Sequence, residues 1–215
     1  MSTMISNAGS EIAVITVSEG ITPRHFEVEN GEAFQDEHSA GDPHVWWDPD
    51  NVVIWTQNIA AALAEADPQH SADYAANSAQ YINRLHELDT WISTQSSRVP
   101  PERRSIVTDH MLFGYFAEKY DYKVIGAVIP SYSSSAQPSA KDLAALEDSI
   151  TQFGVKAILV GNTVNPALAR RVAEDTGVQL VQFYSGSLSD TEGPAATYVE
   201  YMEYNVNAIL GALED

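Results

Sequence analysis

A chain of 215 residues with 44% hydrophobic side chains carries enough apolar material for one large or two small domains, which excludes disorder as its general state. Its net charge of −19, from 30 Asp+Glu against 11 Lys+Arg, argues against nucleic acid and anionic membranes, which need clustered cationic side chains. Such a surface suits a protein that attracts cations, or one that is simply acidic and well solvated. Cys is absent, so any metal must be held by His, carboxylate, carbonyl or water.

No stretch reaches the length of a transmembrane helix, and Met1 to Gly20 lacks the basic start and apolar core of a signal peptide. Ile12–Ser18 is a short β-branched run that reads as a buried strand ending at Gly20. Thr22 to Asp42 has the polar, acidic composition of a loop and includes the cluster Asp36-Glu37-His38. Asp48-Pro49 supplies an N-cap and a first-turn proline. Val52, Trp55, Ile59 and Leu63 then recur at helical spacing until Asp67-Pro68. From about Gln69 to Ser97 nothing breaks a second helix, whose apolar face is Ala75, Ala79, Ile82, Leu85, Leu88 and Ile92. At 1.5 Å per residue it is roughly 40 Å long, the length of a connector between two lobes.

After Pro100-Pro101 strands and helices alternate. Strands are expected at Ser105–Thr108, Lys123–Ile129, Ala157–Val160 and Gln179–Tyr184, and helices at Met111–Lys119, Ala140–Phe153, Pro166–Thr176 and Ala195–Leu213. Alternation of this kind predicts a parallel sheet covered by helices. The expected class is α/β: two parallel-sheet lobes joined by a single long helix, with the first lobe incomplete. The expected parts are residues 1–67, a remnant of the N-terminal lobe; 68–98, the connecting helix; and 99–215, the C-terminal lobe.

Ligands of open α/β sheets sit beyond the carboxyl ends of the strands. Asp109-His110 follows the first strand there, with His110 expected at the start of the next helix. A histidine in that place also serves as an ordinary cap or surface residue. The second candidate is Asp42-Pro43-His44-Val45-Trp46-Trp47-Asp48-Pro49, in which His44 lies between two Asp-Pro turns and beside two tryptophans. Neutral imidazole binds zinc well, and a nearby carboxylate can fix the ring nitrogen that faces the metal. Trp46 and Trp47 read as packing, His38 as part of a solvated loop, and His25, His70 and His86 as incidental. No Gly-x-Ser-x-Gly elbow, Gly-rich phosphate loop or His-Glu-x-x-His helix occurs, and Ser131–Ser135 does not make a nucleophile site.

The Asp42–Pro49 segment resembles the DPHxWxDP motif of the cluster A-I metal-binding proteins, the zinc and manganese substrate-binding proteins of ABC transporters. Val107-Thr108-Asp109-His110 with Phe113-Gly114-Tyr115-Phe116, then Gln137-Pro138-Ser139, then Tyr198 through Asn205, agree with the same family in the same order. The resemblance implies two lobes on one rigid helix, with a metal in the cleft. It makes His44 and His110 metal ligands, and it implies an ABC permease partner and a periplasmic or extracellular setting reached by membrane association through the transporter. It also implies a further His from an early strand, which nothing before Ile12 supplies, so the chain reads as N-terminally truncated and open to self-association. Two acidic positions of the family are here Gly161 and Gly186. Zn2+ is expected ahead of Mn2+, because manganese prefers more oxygen ligands. No enzymatic activity is expected. The alternatives are a zinc-dependent hydrolase with water in the open positions, and a receptor-like or cell-adhesion module whose cargo is not a metal.

Overall fold

The computed structural model describes residues 13–25 and 41–214. Helix α1 (Pro49–Ala66) starts as its sequence dictates: the Asp48 carboxylate accepts from the Asp50 N–H at 2.9 Å, with Pro49 in the first turn. A short 3-10 turn at Pro68–His70 separates it from α2 (Ser71–Ser96), whose 26 residues make the long helix. The two pack along each other, and the C-terminal half of α2 buries Leu88 and Ile92 in the core of the sheet domain.

That domain has the strand order β2-β1-β3-β4, all parallel, from β1 (Ser105–His110), β2 (Lys123–Ile129), β3 (Ala157–Gly161) and β4 (Gln179–Phe183). Four helices complete it: α3 (Gly114–Tyr120), α4 (Ala140–Phe153), α5 (Ala167–Thr176) and α6 (Tyr198–Leu213). Strand side chains alternate between two cores. Ile106, Ala157 and Leu159 join Phe113, Phe116, Met202 and Ile209 on one face; Val107, Ile158 and Val160 join Leu146, Ile150 and Val172 of α4 and α5 on the other. The order reverses between β1 and β3, which opens a ligand crevice at their carboxyl ends.

Four expectations need correction. The expected strand Ile12–Ser18 does not form over its described residues, Ile12 lying outside them: residues 13–16 have no regular structure, Val17 to Gly20 is a turn, and Val14 and Ile15 are 59% and 51% exposed. A β-branched run becomes a buried strand only beside a partner strand, and none pairs with it among the described residues; the segment is instead held at Val17 and Glu19, whose carbonyls accept from the Asn58 amide. Strand β1 continues through His110, so this residue ends a strand rather than opening a helix. Helix α3 begins only at Gly114, because Met111 N–H bonds Ser131 C=O and pins the intervening turn to the loop after β2. Helix α6 begins at Tyr198 rather than Ala195, where Thr197 and Glu200 form a reciprocal capping box.

Candidate metal centre

The segment carrying His44 is fixed by the residue three positions on. Trp47, at the end of a 3-10 turn over Val45–Trp47, is fully buried, with ring centroids 4.3 Å from Phe113, 5.3 Å from Tyr201 and 5.9 Å from Phe183. This plug seats residues 42–48 on the sheet domain beside the carboxyl end of β1. Trp46 stays at the surface of the core: its indole N–H donates to Tyr201 Oη at 3.2 Å, its carbonyl accepts from Tyr198 Oη at 2.8 Å, and its ring stands edge-on to His44 at 5.4 Å.

His44 and His110 meet there. Each is only 7% exposed, and their ring centroids lie 5.2 Å apart at 66°. Each ring is clamped by an aspartate in the same way. Asp42 Oδ1 lies 2.9 Å from the His44 backbone nitrogen and 2.7 Å from its Nδ1; Asp109 Oδ1 lies 2.6 Å from both the backbone nitrogen and Nδ1 of His110. A carboxylate only accepts, so Nδ1 carries the proton in both rings and Nε2 is left as the donor for a ligand. Two imidazoles bound to one tetrahedral ion through Nε2, with bonds of about 2.0–2.1 Å, place their ring centroids roughly 5 Å apart. The observed separation therefore suits a shared ion.

Both histidines line a cavity of about 240 Å³ with Trp46, Leu112, Tyr132, Ser133, Ser134, Thr163, Ser185 and Gly186. The serine run after β2, which offers no nucleophile site by sequence, is thus part of the wall through Ser133 and Ser134. Among the described residues no group of three or more His, Asp or Glu side chains is placed to hold a metal. His38, with Asp36 and Glu37, lies outside the described residues. His70 is exposed and paired with Asp67 at 2.7 Å, and His86 lies on the exposed side of α2, so neither approaches the cavity.

Gly161 and Gly186 differ physically. The Gly161 N–H donates to Asp109 Oδ2 at 2.7 Å, and a Cβ there would collide with the Ser185 side chain and come 3.2 Å from Asp109 Oδ2. At Gly186 a Cβ would make ordinary contact with Thr163, at 3.6 Å from Oγ1 and 4.0 Å from Cγ2. Position 161 is closed to any side chain, while position 186 is open toward the cavity. Sequence reasoning raised a nearby carboxylate as orienter of His44 without naming Asp42, and missed the matching role of Asp109; the signal is an aspartate one or two residues before each histidine.

A further set of contacts lies behind His44. Tyr115 Oη accepts from the Arg24 backbone N–H and donates to the Asp42 carbonyl, both at 3.0 Å, and Asp42 N–H donates to the Arg24 carbonyl at 2.7 Å. Burial raises the pKa of the Tyr115 phenol, which keeps it protonated as that donor.

Metal-binding proteins are among the known proteins similar to this chain. The manganese-binding lipoprotein MntA of Halalkalibacterium halodurans is 29% identical over 205 residues, 95% of this chain and 65% of that protein. The iron-binding protein YfeA of Yersinia pestis is 28% identical over 200 residues, 93% of this chain and 62% of that one. The chain therefore spans less than two thirds of the length of these relatives. A manganese-bound periplasmic metal binding protein from candidatus Liberibacter asiaticus superposes with a TM-score of 0.77 at 26% identity, over 94% of this chain and 71% of that one. The periplasmic zinc binding protein TroA from Treponema pallidum shares the fold, with a TM-score of 0.86 at 24% identity, over 100% of this chain and 76% of that one. Residues 1–212 match the ZnuA family model, zinc-uptake complex component A, periplasmic, and the chain belongs to that family.

Proposed function

We propose that this chain captures a transition metal ion as cargo between His44 and His110, outside the cytoplasm, for transfer to the permease of an ABC transporter. The observation that carries the reading is the pair of aspartate-clamped imidazoles, 5.2 Å apart on one cavity. Membership of a family of uptake components supports carriage rather than catalysis, and the relatives' names speak for manganese, iron and zinc. Zinc is the cargo we assign. Nitrogen donors from His44 and His110, with no side-chain carboxylate in the described cavity lining, make a set that suits zinc better than manganese. Water completes the coordination, alone or with residues beyond the described ones.

Calorimetric titration of metal-stripped protein with zinc, beside the His44→Ala/His110→Ala double variant, tests the reading. The expected result is 1:1 binding that disappears in the double variant. Undiminished binding in the variant moves the site elsewhere, and no binding in either protein removes zinc as the cargo of this chain.

A further inference from the structure

The two aspartate clamps are alike except at their second oxygen. Asp109 Oδ2 is satisfied by the Gly161 N–H, whereas Asp42 Oδ2 is buried and has no hydrogen-bond partner among the described residues. A buried carboxylate oxygen left so is costly and calls for a compensating group. The nearest candidate shares its condition: Arg24 Nη1 is also buried and without a hydrogen-bond partner among the described residues. Both atoms converge on one point. A Cβ built on Gly114 would overlap Arg24 Nη1 and lie 2.8 Å from Asp42 Oδ2, so the absence of a side chain at Gly114 is what lets guanidinium and carboxylate approach.

Everything around Arg24 holds that end of the guanidinium in place. Its Nε pairs with Glu118 Oε2 on the outer side, its Cζ lies 5.6 Å from the centre of the Tyr115 ring, and its backbone is tied to Asp42 by the Tyr115 hydroxyl and by the Asp42 N–H. Gly41, at φ +86°, packs its Cα against Pro23 and the Arg24 carbonyl, which a side chain there would not permit. A positive charge fixed this near a buried carboxylate oxygen attracts it across a short gap without a direct hydrogen bond, and so favours one orientation of the carboxylate.

We propose that Arg24 is a positioning residue for His44: its guanidinium faces the unbonded oxygen of Asp42 and keeps that carboxylate oriented as clamp of the ring, with Gly114 as the gap that admits it. The chain of control runs from Glu118 to Arg24, Asp42 and His44, and the His110 clamp, closed by Gly161, has no share in it. The proposal rests on the metal-receptor reading only for its consequence in binding; the effect on the His44 ring is a property of the metal-free protein.

The test is therefore twofold. Long-range proton–nitrogen NMR spectra of metal-free, 15N-labelled protein read the tautomer of each histidine, and zinc titration reads affinity, for wild type, Arg24→Met, Arg24→Lys and Gly114→Ala. In wild type, His44 carries its proton on Nδ1. Arg24→Met and Gly114→Ala mix the two His44 tautomers and weaken zinc binding about tenfold or more, the usual effect of losing an outer partner of a ligand. Arg24→Lys restores part of both, and the His110 signals stay as in wild type throughout. A wild-type His44 tautomer and wild-type zinc affinity in Arg24→Met overturn the proposal, as does an equal shift of His110, which marks general loosening. If wild type takes up no zinc, the receptor reading fails by itself, and the His44 tautomer still decides the role of Arg24.

Discussion

Gly161 and Gly186 hold the two positions at which the resemblance leads one to expect acidic ligands, and their surroundings make opposite predictions. At Gly161 the Ser185 side chain fills the space of a Cβ and the backbone N–H serves Asp109, so Gly161→Asp overpacks a closed site. We expect it to lower unfolding free energy by about 1–3 kcal/mol, as seen in the denaturation midpoint, without tightening zinc binding. Gly186→Asp meets ordinary contact with Thr163 only and brings a carboxylate to a cavity lined by two imidazoles. It should tighten zinc binding by roughly tenfold in the same titration, a third protein ligand being the usual minimum of an open zinc site. Equal effects of the two substitutions would contradict the assigned geometry. The sequence marks His44 and His110 as candidates by Asp-Pro turns and a strand end, and the fold brings the two rings together. The closure of position 161 was not legible in the sequence, since it depends on Ser185, 24 residues away.

Among the elements, α6 is tied to the floor of the site by one amide. Asn205 is fully buried, and its side chain accepts from the Tyr184 N–H and donates to the Tyr184 carbonyl, both at 2.9 Å, where β4 gives way to the Ser185–Gly186 wall. Asn205→Leu keeps the volume and orphans a buried donor and acceptor together, so we expect a loss of about 2–4 kcal/mol in chemical denaturation. A change below 0.5 kcal/mol, of the order seen at indifferent surface sites, would mean that water replaces the amide at no cost. The elements themselves were largely readable. Caps and periodicity located the helices within a few residues, and alternation with strands implied the parallel sheet. What failed has a common physical cause, dependence on a distant partner. The β-branched run at residues 12–18 needs a neighbouring strand, the start of α3 is set by Ser131, and Arg24 lies in a polar segment where only the fold shows that it faces Asp42.

At the scale of the molecule, Lys119 joins the helices around the site. Its ammonium meets Asp48 at 2.7 Å and Asp50 at 2.5 Å at the start of α1, and Asp89 on α2 at 3.3 Å. Burial works against this charge, yet the hydrogen bonds to Asp48 and Asp50 together with the charges of Asp48 and Asp89 outweigh it and raise the pKa above 10.5. With the folded pKa raised, the contribution to stability is complete at neutral pH and is lost as pH climbs beyond the unfolded value and through the folded one. Lys119→Met leaves three aspartates facing one another, and we expect it to cost roughly 2 kcal/mol at pH 7 and progressively less above pH 10.5. A cost independent of pH through that range would show that packing, not charge, is what Lys119 supplies.

The central claim is that His44 and His110 share one ion. Diffraction from zinc-soaked crystals at the zinc absorption edge tests it most directly. The account predicts a single strong anomalous peak about 2.0–2.1 Å from Nε2 of both rings, with Nδ1 of each still on Asp42 or Asp109. A peak bound to one histidine alone, or found only outside the cavity, would contradict it.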